Sequence, residues 1–397
     1  MSPLPDSTVL SALSGIDPRV RTIPLENISS LAGPNFGDPD IIALWFGEGD
    51  VKTPAFIGEA MMRAVEAGEV FYTNQNGIPP LREALATYLS GLGSRPVAVD
   101  RITVTTSGMH AIMLALNIIV APGDSVMVID PVWPNFASAS ELLGANVRRV
   151  RLDHGANAGW TLDLDKVAAQ MDGTVKAVFF ASPGNPTGAM IPIETQVALL
   201  DMCRERGVWL IADEVYNRFV FGQRSAPTLL DHADPEDRVL IVNSFSKNYC
   251  MTGWRIGWLV HPPSIGQTLA MATQYSTSGV TTFIQHAAVA AVEQGEPFIE
   301  FIRGYNERGV GIACDALEKM GRVRLGPRPK AGMYVFFEVD GMTDARAACR
   351  EILDTTKVGL APGTFFGPGS ERYLRACISR EPGVLGEAME RLAKVLG

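Results

Sequence analysis

The sequence predicts an α/β protein: a large domain built on a mostly parallel sheet sandwiched by helices, and a smaller α+β domain. Three observations lead there. Between residues 102 and 247, short apolar runs alternate with amphipathic helical patterns, as expected for parallel strands covered on both faces. Later in the chain, strand-like MYVFFEV and RYLRACIS occur among helical stretches, on a scale that suits a compact second domain. The length, 397 residues, is enough for both.

Composition narrows the function. With 47% hydrophobic and 19% charged residues, the chain can bury a large core. Its net charge of −9 argues against nucleic acid, whose phosphates call for a basic surface. Arg148, Arg149 and Arg151 form the one basic cluster and read as the polar face of a strand. The amino end lacks a basic region followed by an apolar core, and no apolar run nears the roughly eighteen residues of a membrane span. We therefore expect a cytoplasmic protein with no membrane partner. Five scattered cysteines without Cys-x-x-Cys suit reduced thiols, and no metal site is expected. The absence of His-Glu-x-x-His, of a phosphate-binding Walker loop and of Gly-x-Ser-x-Gly removes the usual anchors of metalloproteases, nucleotide hydrolases and serine esterases.

Taken in order, residues 1 to 45 form an irregular arm with one helix around 7–14. IIALWFGEGDVKTP follows as a short strand ending at Gly47-Glu48-Gly49. The spacing of Phe56, Ile57, Ala60, Met61, Ala64 and Val65 predicts a helix over 55–67, ended by Gly68. Pro79 and Pro80 open the next, with Leu81, Leu85, Tyr88 and Leu89 on one face. ITVTT is a strand running through Ser107-Gly108 into a helix, a common anion site because free N–H groups point outward at a helix start. The alternation continues through SVMVID, a helix around 138–143, VRRVRL, a helix around 163–171, AVFFAS, a helix around 193–206, VWLIADE and VLIVNSFSK. Residues 283–318 are helical with a break near 295–297. The tail adds helices around 345–353 and 384–396, and there is no internal repeat.

Ligands of such sheets sit beyond the carboxyl ends of the strands. Four strand ends carry chemistry there: Trp133 after SVMVIDP, Asn185 in SPGNPTG, Asp213 and Tyr216 in ADEVY, and Lys247 in NSFSKNYCMTGWRIGW. A lysine amine attacks an aldehyde only when neutral, which desolvation or a nearby cation such as Arg255 favours. Ser244 and Ser246 offer hydroxyls, Arg255 offers a fork of donors for a phosphate, and Gly253 and Gly257 leave room for close backbone approach. A lysine beside a phosphate cradle points to pyridoxal phosphate. Asp213 beside a pyridine nitrogen would hold it protonated, making the ring an electron sink. Tyr216 and Asn185 can donate to a phenolic oxygen, although Asn-Pro is also a turn signal, and Trp133 is either a stacking face or a packing residue.

SPGNPTG, ADEVY and SFSKNYCMTGWRIGW, in that order and spacing, resemble the class I/II aminotransferases of pyridoxal-phosphate fold type I, the aspartate aminotransferase-like group. The resemblance runs over residues 44–378. It implies a seven-stranded large domain at 48–290, a small domain from 1–47 and 291–397, and a homodimer with sites at the subunit interface. Lys247 then corresponds to the Schiff-base lysine and proton carrier. Asp213 corresponds to the partner of the ring nitrogen, Asn185 and Tyr216 to donors to the ring hydroxyl, and Trp133 to the stacking aromatic. Ser107, Gly108, Met109, Ser244, Ser246 and Arg255 correspond to the phosphate cup, joined by Tyr72 acting on the neighbouring subunit. Arg375 matches the arginine that grips the substrate α-carboxylate, with Gly47, Asn185 and Trp133 beside it; a guanidinium fork binds both oxygens in one plane.

The implied activity is ping-pong transfer of an α-amino group from an L-amino acid to a 2-oxo acid. Relatives selective for aspartate or glutamate carry a second basic residue, in one branch inside the turn opening the phosphate helix, in another three residues before a Tyr-Ser pair. Met109 and Ala272 stand in those two places, so the chain leans to neutral or aromatic side chains. A β-lyase, decarboxylase or synthase on the same fold, and an aspartate aminotransferase with a non-standard anchor, stay open as alternatives.

Overall fold

The computed structural model describes residues 14–21, 28–155 and 158–397. Its centre is a seven-stranded sheet of β1 (Ile102–Thr105), β2 (Ser125–Asp130), β3 (Asn146–Arg151), β4 (Val175–Ala181), β5 (Trp209–Asp213), β6 (Val239–Ser244) and β7 (Gly257–Val260). The spatial order is β1-β7-β6-β5-β4-β2-β3. All pairs are parallel except those of β7, which runs antiparallel to both β1 and β6. Every residue of β2 and β6 is buried, which is why these strands carry continuous apolar stretches, Val126–Ile129 and Val239–Val242, and no polar alternation. From β2 the chain turns one way to β3 and later the other way to β4, β5 and β6. Such a reversal of strand order opens a crevice at the carboxyl ends.

The covering helices have legible starts and stops. Ser107 caps the helix Gly108–Ile119 by accepting from the His110 N–H at 3.0 Å. Ile193–Arg206 ends at Gly207, whose φ of 65° is the left-handed conformation that a helix stop favours. Asp344 caps Ala345–Thr356 by accepting from the N–H groups of Arg346 and Ala347.

A second, antiparallel sheet joins β8 (Val323–Arg324), β9 (Tyr334–Val339), β10 (Ala361–Pro362) and β11 (Tyr373–Cys377) in the order β8-β9-β11-β10. The helices Glu296–Leu317 and Pro382–Leu396 pack with it around a core that also takes in Ile42 and Leu44. The early chain is sewn to this unit: Ile42–Ala43 pairs in parallel with Val358–Gly359, and the Cys377 N–H donates to the Leu44 carbonyl at 2.8 Å. Trp45, Phe46 and Gly47 are thereby delivered to the crevice of the large sheet.

Several sequence expectations need adjusting. The helix expected around 7–14 falls on residues that, apart from Ser14, lie outside the described ones. The strand before Gly47 is only two residues long. β7 and the helix Gly266–Ser276 are legible only in hindsight, the first because GWRIGW reads as a ligand motif, the second because its small and polar residues give little amphipathic contrast. The three arginines of the basic cluster are all engaged within the chain: Arg148 with Asp172 (2.8 Å), Arg149 with Asp130 (3.2 Å), and Arg151 with the Pro368 carbonyl (2.7 Å). Among the described residues no helix is long and apolar enough to cross a membrane.

Candidate active site

The site is assembled from the loops leaving β2, β4, β5 and β6 and from the Trp45–Gly47 segment and β11 of the other unit. Past β6, Ser244 caps the short helix Phe245–Asn248 by accepting from the Ser246 N–H at 3.1 Å, and this turn aims Lys247 into the crevice. Lys247 Nζ donates to the Gly47 carbonyl at 2.5 Å. Burial lowers the lysine value. The cation acting in the same direction is Arg375, where the sequence offered Arg255; Glu48 and Asp213 oppose it.

Asp213 ends β5. Its carboxylate accepts from the Val215 N–H at 3.1 Å and joins no ion pair with the described residues. Burial pushes its value up to about 6, against the pull of that N–H and of Lys247. Glu214, next along, bonds the Thr228 hydroxyl at 2.9 Å, and burial raises it to about 8. Alternation along the strand end thus sends one acid into the site and the other away from it. Tyr216 follows, with Lys247 Nζ 5.9 Å from its ring centre.

A cup of polar groups suited to an anion lies at the start of Gly108–Ile119. Ser107 and the backbone of Gly108 and Met109 face Ser244, Ser246 and Arg255 across one cavity. The Ser244 and Ser246 hydroxyls are 2.9 Å apart, and Arg255 donates to the Thr252 carbonyl at 2.6 Å. Gly257 makes the cup possible: a side-chain carbon there would sit 2.9 Å from the Gly108 nitrogen, so only glycine lets β7 close on the helix start. Gly253 has no such task, since a side-chain carbon there would meet nothing within 4 Å.

Arg375, on β11, is fully buried between the rings of Tyr334 and Phe366, whose centres lie 4.4 and 4.8 Å from its guanidinium carbon. It donates to Asn185 Oδ1 at 2.9 Å and to the Trp45 carbonyl. Its Nε has no hydrogen-bond partner among the described residues. A buried, unpaired donor on a guanidinium is costly unless an acceptor arrives, and Arg375 lines the cavity through which one could enter.

A cavity of about 330 Å³ joins these groups. Gly47, Ser107, Gly108, Met109, Trp133, Asn185, Asp213, Tyr216, Ser244, Ser246, Lys247, Arg255 and Arg375 all line it. Tyr72 does not; it is 96% exposed, on the face formed by Val70, Phe71 and residues 277–283. The cavity also has lining residues that the motifs did not flag: Ile28, Phe46, Glu48, Ile112, Thr252 and Tyr334. Apart from Thr252, inside the lysine motif, these lie in no recognisable pattern and reach the crevice by tertiary packing. A second cavity, about 670 Å³, shares Gly47, Glu48, Ser246, Lys247 and Thr252 with the first.

Comparison with known proteins agrees with this geometry. The family model for aminotransferase class I and II matches residues 40–392. An aspartate aminotransferase of Thermotoga maritima is 31% identical over 358 residues, covering 90% of this chain and 92% of that protein. An arginine–pyruvate transaminase of Pseudomonas aeruginosa is 30% identical over 357 residues, covering 89% of each. The fold matches the solved structure of aspartate aminotransferase from Thermus thermophilus with maleate at a TM-score of 0.89 and 28% identity, covering 96% of this chain and all of that one. With a family match along nearly its whole length, the chain belongs to the class I and II aminotransferases.

Proposed function

We propose that this aminotransferase takes its amino group from L-amino acids with neutral, aromatic or other apolar side chains and delivers it to a 2-oxo acid. The observation that carries the proposal is the cavity wall formed by Ile28, Phe46, Met109, Ile112 and Trp133. The basic residues lining the cavity are Lys247, Arg255 and Arg375, each with a task at the amine, the phosphate or the α-carboxylate. Ala272 packs beside the Gly108–Ile119 helix and contributes no charge. A side-chain carboxylate entering here would lose its water without gaining a partner from the described residues.

Members of this family use pyridoxal phosphate, and the donor set fits it. A buried carboxylate free of ion pairs suits a protonated ring nitrogen, and the cup of hydroxyls, helix N–H groups and Arg255 suits a phosphate. When bound, the group supplies an electron sink for the pair left at the substrate α-carbon. Around it we assign Asp213 to hold the ring nitrogen protonated, and Asn185 and Tyr216 to donate to the ring oxygen. Trp133 covers the ring face, and Ser107, Gly108, Met109, Ser244, Ser246 and Arg255 hold the phosphate. Arg375 binds the substrate carboxylate, with Asn185 fixing the guanidinium and Gly47 leaving the approach open. Lys247 anchors the cofactor and moves the α-carbon proton; burial favours the neutral amine this needs.

We also propose a homodimer, with Tyr72 reaching the phosphate of the neighbouring subunit. Its position outside its own chain's cavity and the exposure of Val70 (53%) and Phe71 (80%) support this. The core that unites Ile42 and Leu44 with residues 302–396 supports dividing the chain into a large domain, 48–290, and a small one from 1–47 and 291–397.

A second reading, aspartate as donor, is favoured by several relatives being aspartate aminotransferases. Steady-state kcat/KM values for phenylalanine, methionine and aspartate with one common 2-oxo acid separate the two. The proposal expects both apolar donors to exceed aspartate by tenfold or more, about 1.4 kcal/mol. A preference for aspartate overturns it, and release of ammonia or carbon dioxide in place of amine transfer moves the reaction to a lyase or decarboxylase.

A further inference from the structure

Tyr334 lines the cavity, and none of the roles above uses it. It opens β9 in register with Cys377, fully buried, so the sheet fixes its position. Its hydroxyl lies 2.7 Å from that of Tyr216, with the two rings edge-on at 77°. The guanidinium of Arg375 covers its ring. A side-chain carbon at Gly47 would collide with its hydroxyl, and Gly47 is the residue whose carbonyl holds Lys247. One phenol therefore touches the substrate-carboxylate arginine, the segment holding the lysine, and the tyrosine assigned to the cofactor.

Between two phenol oxygens only one proton can lie, and the other must point elsewhere. If Tyr216 donates to Tyr334, its own proton is consumed. If Tyr334 donates, the Tyr216 proton is free to point into the cavity. Burial raises both phenols, and the Arg375 guanidinium draws both back down. The Arg375 guanidinium lies 4.4 Å from the centre of the Tyr334 ring, while the cation over the Tyr216 ring, Lys247, is 5.9 Å away; a cation pressed against a phenol ring makes its O–H the stronger donor, so Tyr334 is the donor of the pair.

We propose that Tyr334 is a positioning residue for the transamination: it donates to Tyr216 and thereby turns the Tyr216 proton toward the cofactor ring oxygen. The inference rests on the assignment of Tyr216 given above. A donor that itself accepts a hydrogen bond is polarised and donates more strongly. Tyr334 thus tunes the cofactor through Tyr216 without touching it, and its ring supports Arg375 at the same time.

The test is a pH titration of the visible absorption of the cofactor-loaded protein, without substrate, for wild type, Tyr334→Phe, Tyr216→Phe and the double variant. Tyr334→Phe keeps the ring beneath Arg375 and removes only the hydroxyl; circular dichroism and thermal melting verify that it folds. The expected result is a spectral midpoint raised by roughly half to one pH unit in Tyr334→Phe, the value of one hydrogen bond. Its kcat falls roughly fivefold, and KM for the amino acid changes little because the ring remains. In the Tyr216→Phe background the second change produces no further shift, since the route is gone. An unchanged midpoint in Tyr334→Phe, or an equal shift with and without Tyr216, overturns the inference while leaving the site intact. If Tyr216→Phe itself leaves the wild-type midpoint, the assignment of Tyr216 fails and takes this inference with it.

Discussion

Lys247 Nζ and the Gly47 carbonyl, 200 residues apart in sequence, are hydrogen-bonded at 2.5 Å. The bond ties the lysine loop of the large sheet to the segment that the second sheet holds through Leu44 and Cys377. The central amine is therefore positioned by both units, and any relative movement of the two is felt at Lys247.

In the proposed roles, replacing Lys247 with alanine removes the cofactor anchor and the proton carrier together. Turnover is expected to fall by at least roughly 10²–10⁴-fold, the range of general acid–base groups. Borohydride reduction followed by denaturation should leave cofactor attached to the wild type and none to the variant. Wild-type turnover in Lys247→Ala contradicts the assignment.

Asp213 gives a pH-dependent prediction for the cofactor-free protein. Burial raises its value from 3.8 to about 6. An acid whose folded value lies above its unfolded one binds its proton more tightly when folded. Stability is thus lost as pH rises through that window and stays lower above it. Asp213→Asn removes this loss, so the variant gains up to about 3 kcal/mol over wild type above pH 6, and little below pH 4. Denaturant midpoints of both proteins across pH measure it. A gain that does not change with pH argues against a buried, ionising Asp213.

Arg375 is held by Asn185, by the Trp45 carbonyl and by two rings, and its Nε has no partner among the described residues; the proposal gives it the substrate carboxylate. Arg375→Lys keeps the charge and loses the planar fork. We expect kcat/KM to fall roughly 10²–10³-fold, mostly in KM. Equal KM values for the two proteins indicate that the carboxylate binds elsewhere.

Met109 stands at the opening of the Gly108–Ile119 helix and lines the cavity. Met109→Lys adds a cation to a wall otherwise made of apolar groups. Aspartate kcat/KM is expected to rise roughly 10- to 100-fold, the worth of one charged hydrogen bond, while phenylalanine loses activity. No gain for aspartate means that the donor side chain lies away from Met109.

Much of this site can be read from the sequence because its residues sit just beyond strand ends. Trp133, Asn185 and Lys247 follow β2, β4 and β6, Asp213 ends β5, and the reversal of strand order collects them in one crevice. Arg375 is legible only through family resemblance, since its strand belongs to another sheet. Tyr334, Phe46 and Ile28 are not legible at all. Each is an apolar or aromatic residue in a local pattern that serves packing equally well, and only the docking of the second sheet on the first brings it to the cavity. The same holds for Arg375 acting on Lys247, where sequence proximity favours Arg255.

The most direct measurement is a half-reaction titration: the cofactor-loaded protein is mixed with one amino acid at a time, its absorbance is followed, and a 2-oxo acid is then added. The account predicts that phenylalanine and methionine convert the bound cofactor to its amine form, that aspartate does so far more slowly, and that a 2-oxo acid restores the starting spectrum. Rapid conversion by aspartate with none by the apolar donors contradicts the proposed substrate class. Conversion without return, accompanied by ammonia or carbon dioxide, contradicts transamination at this site.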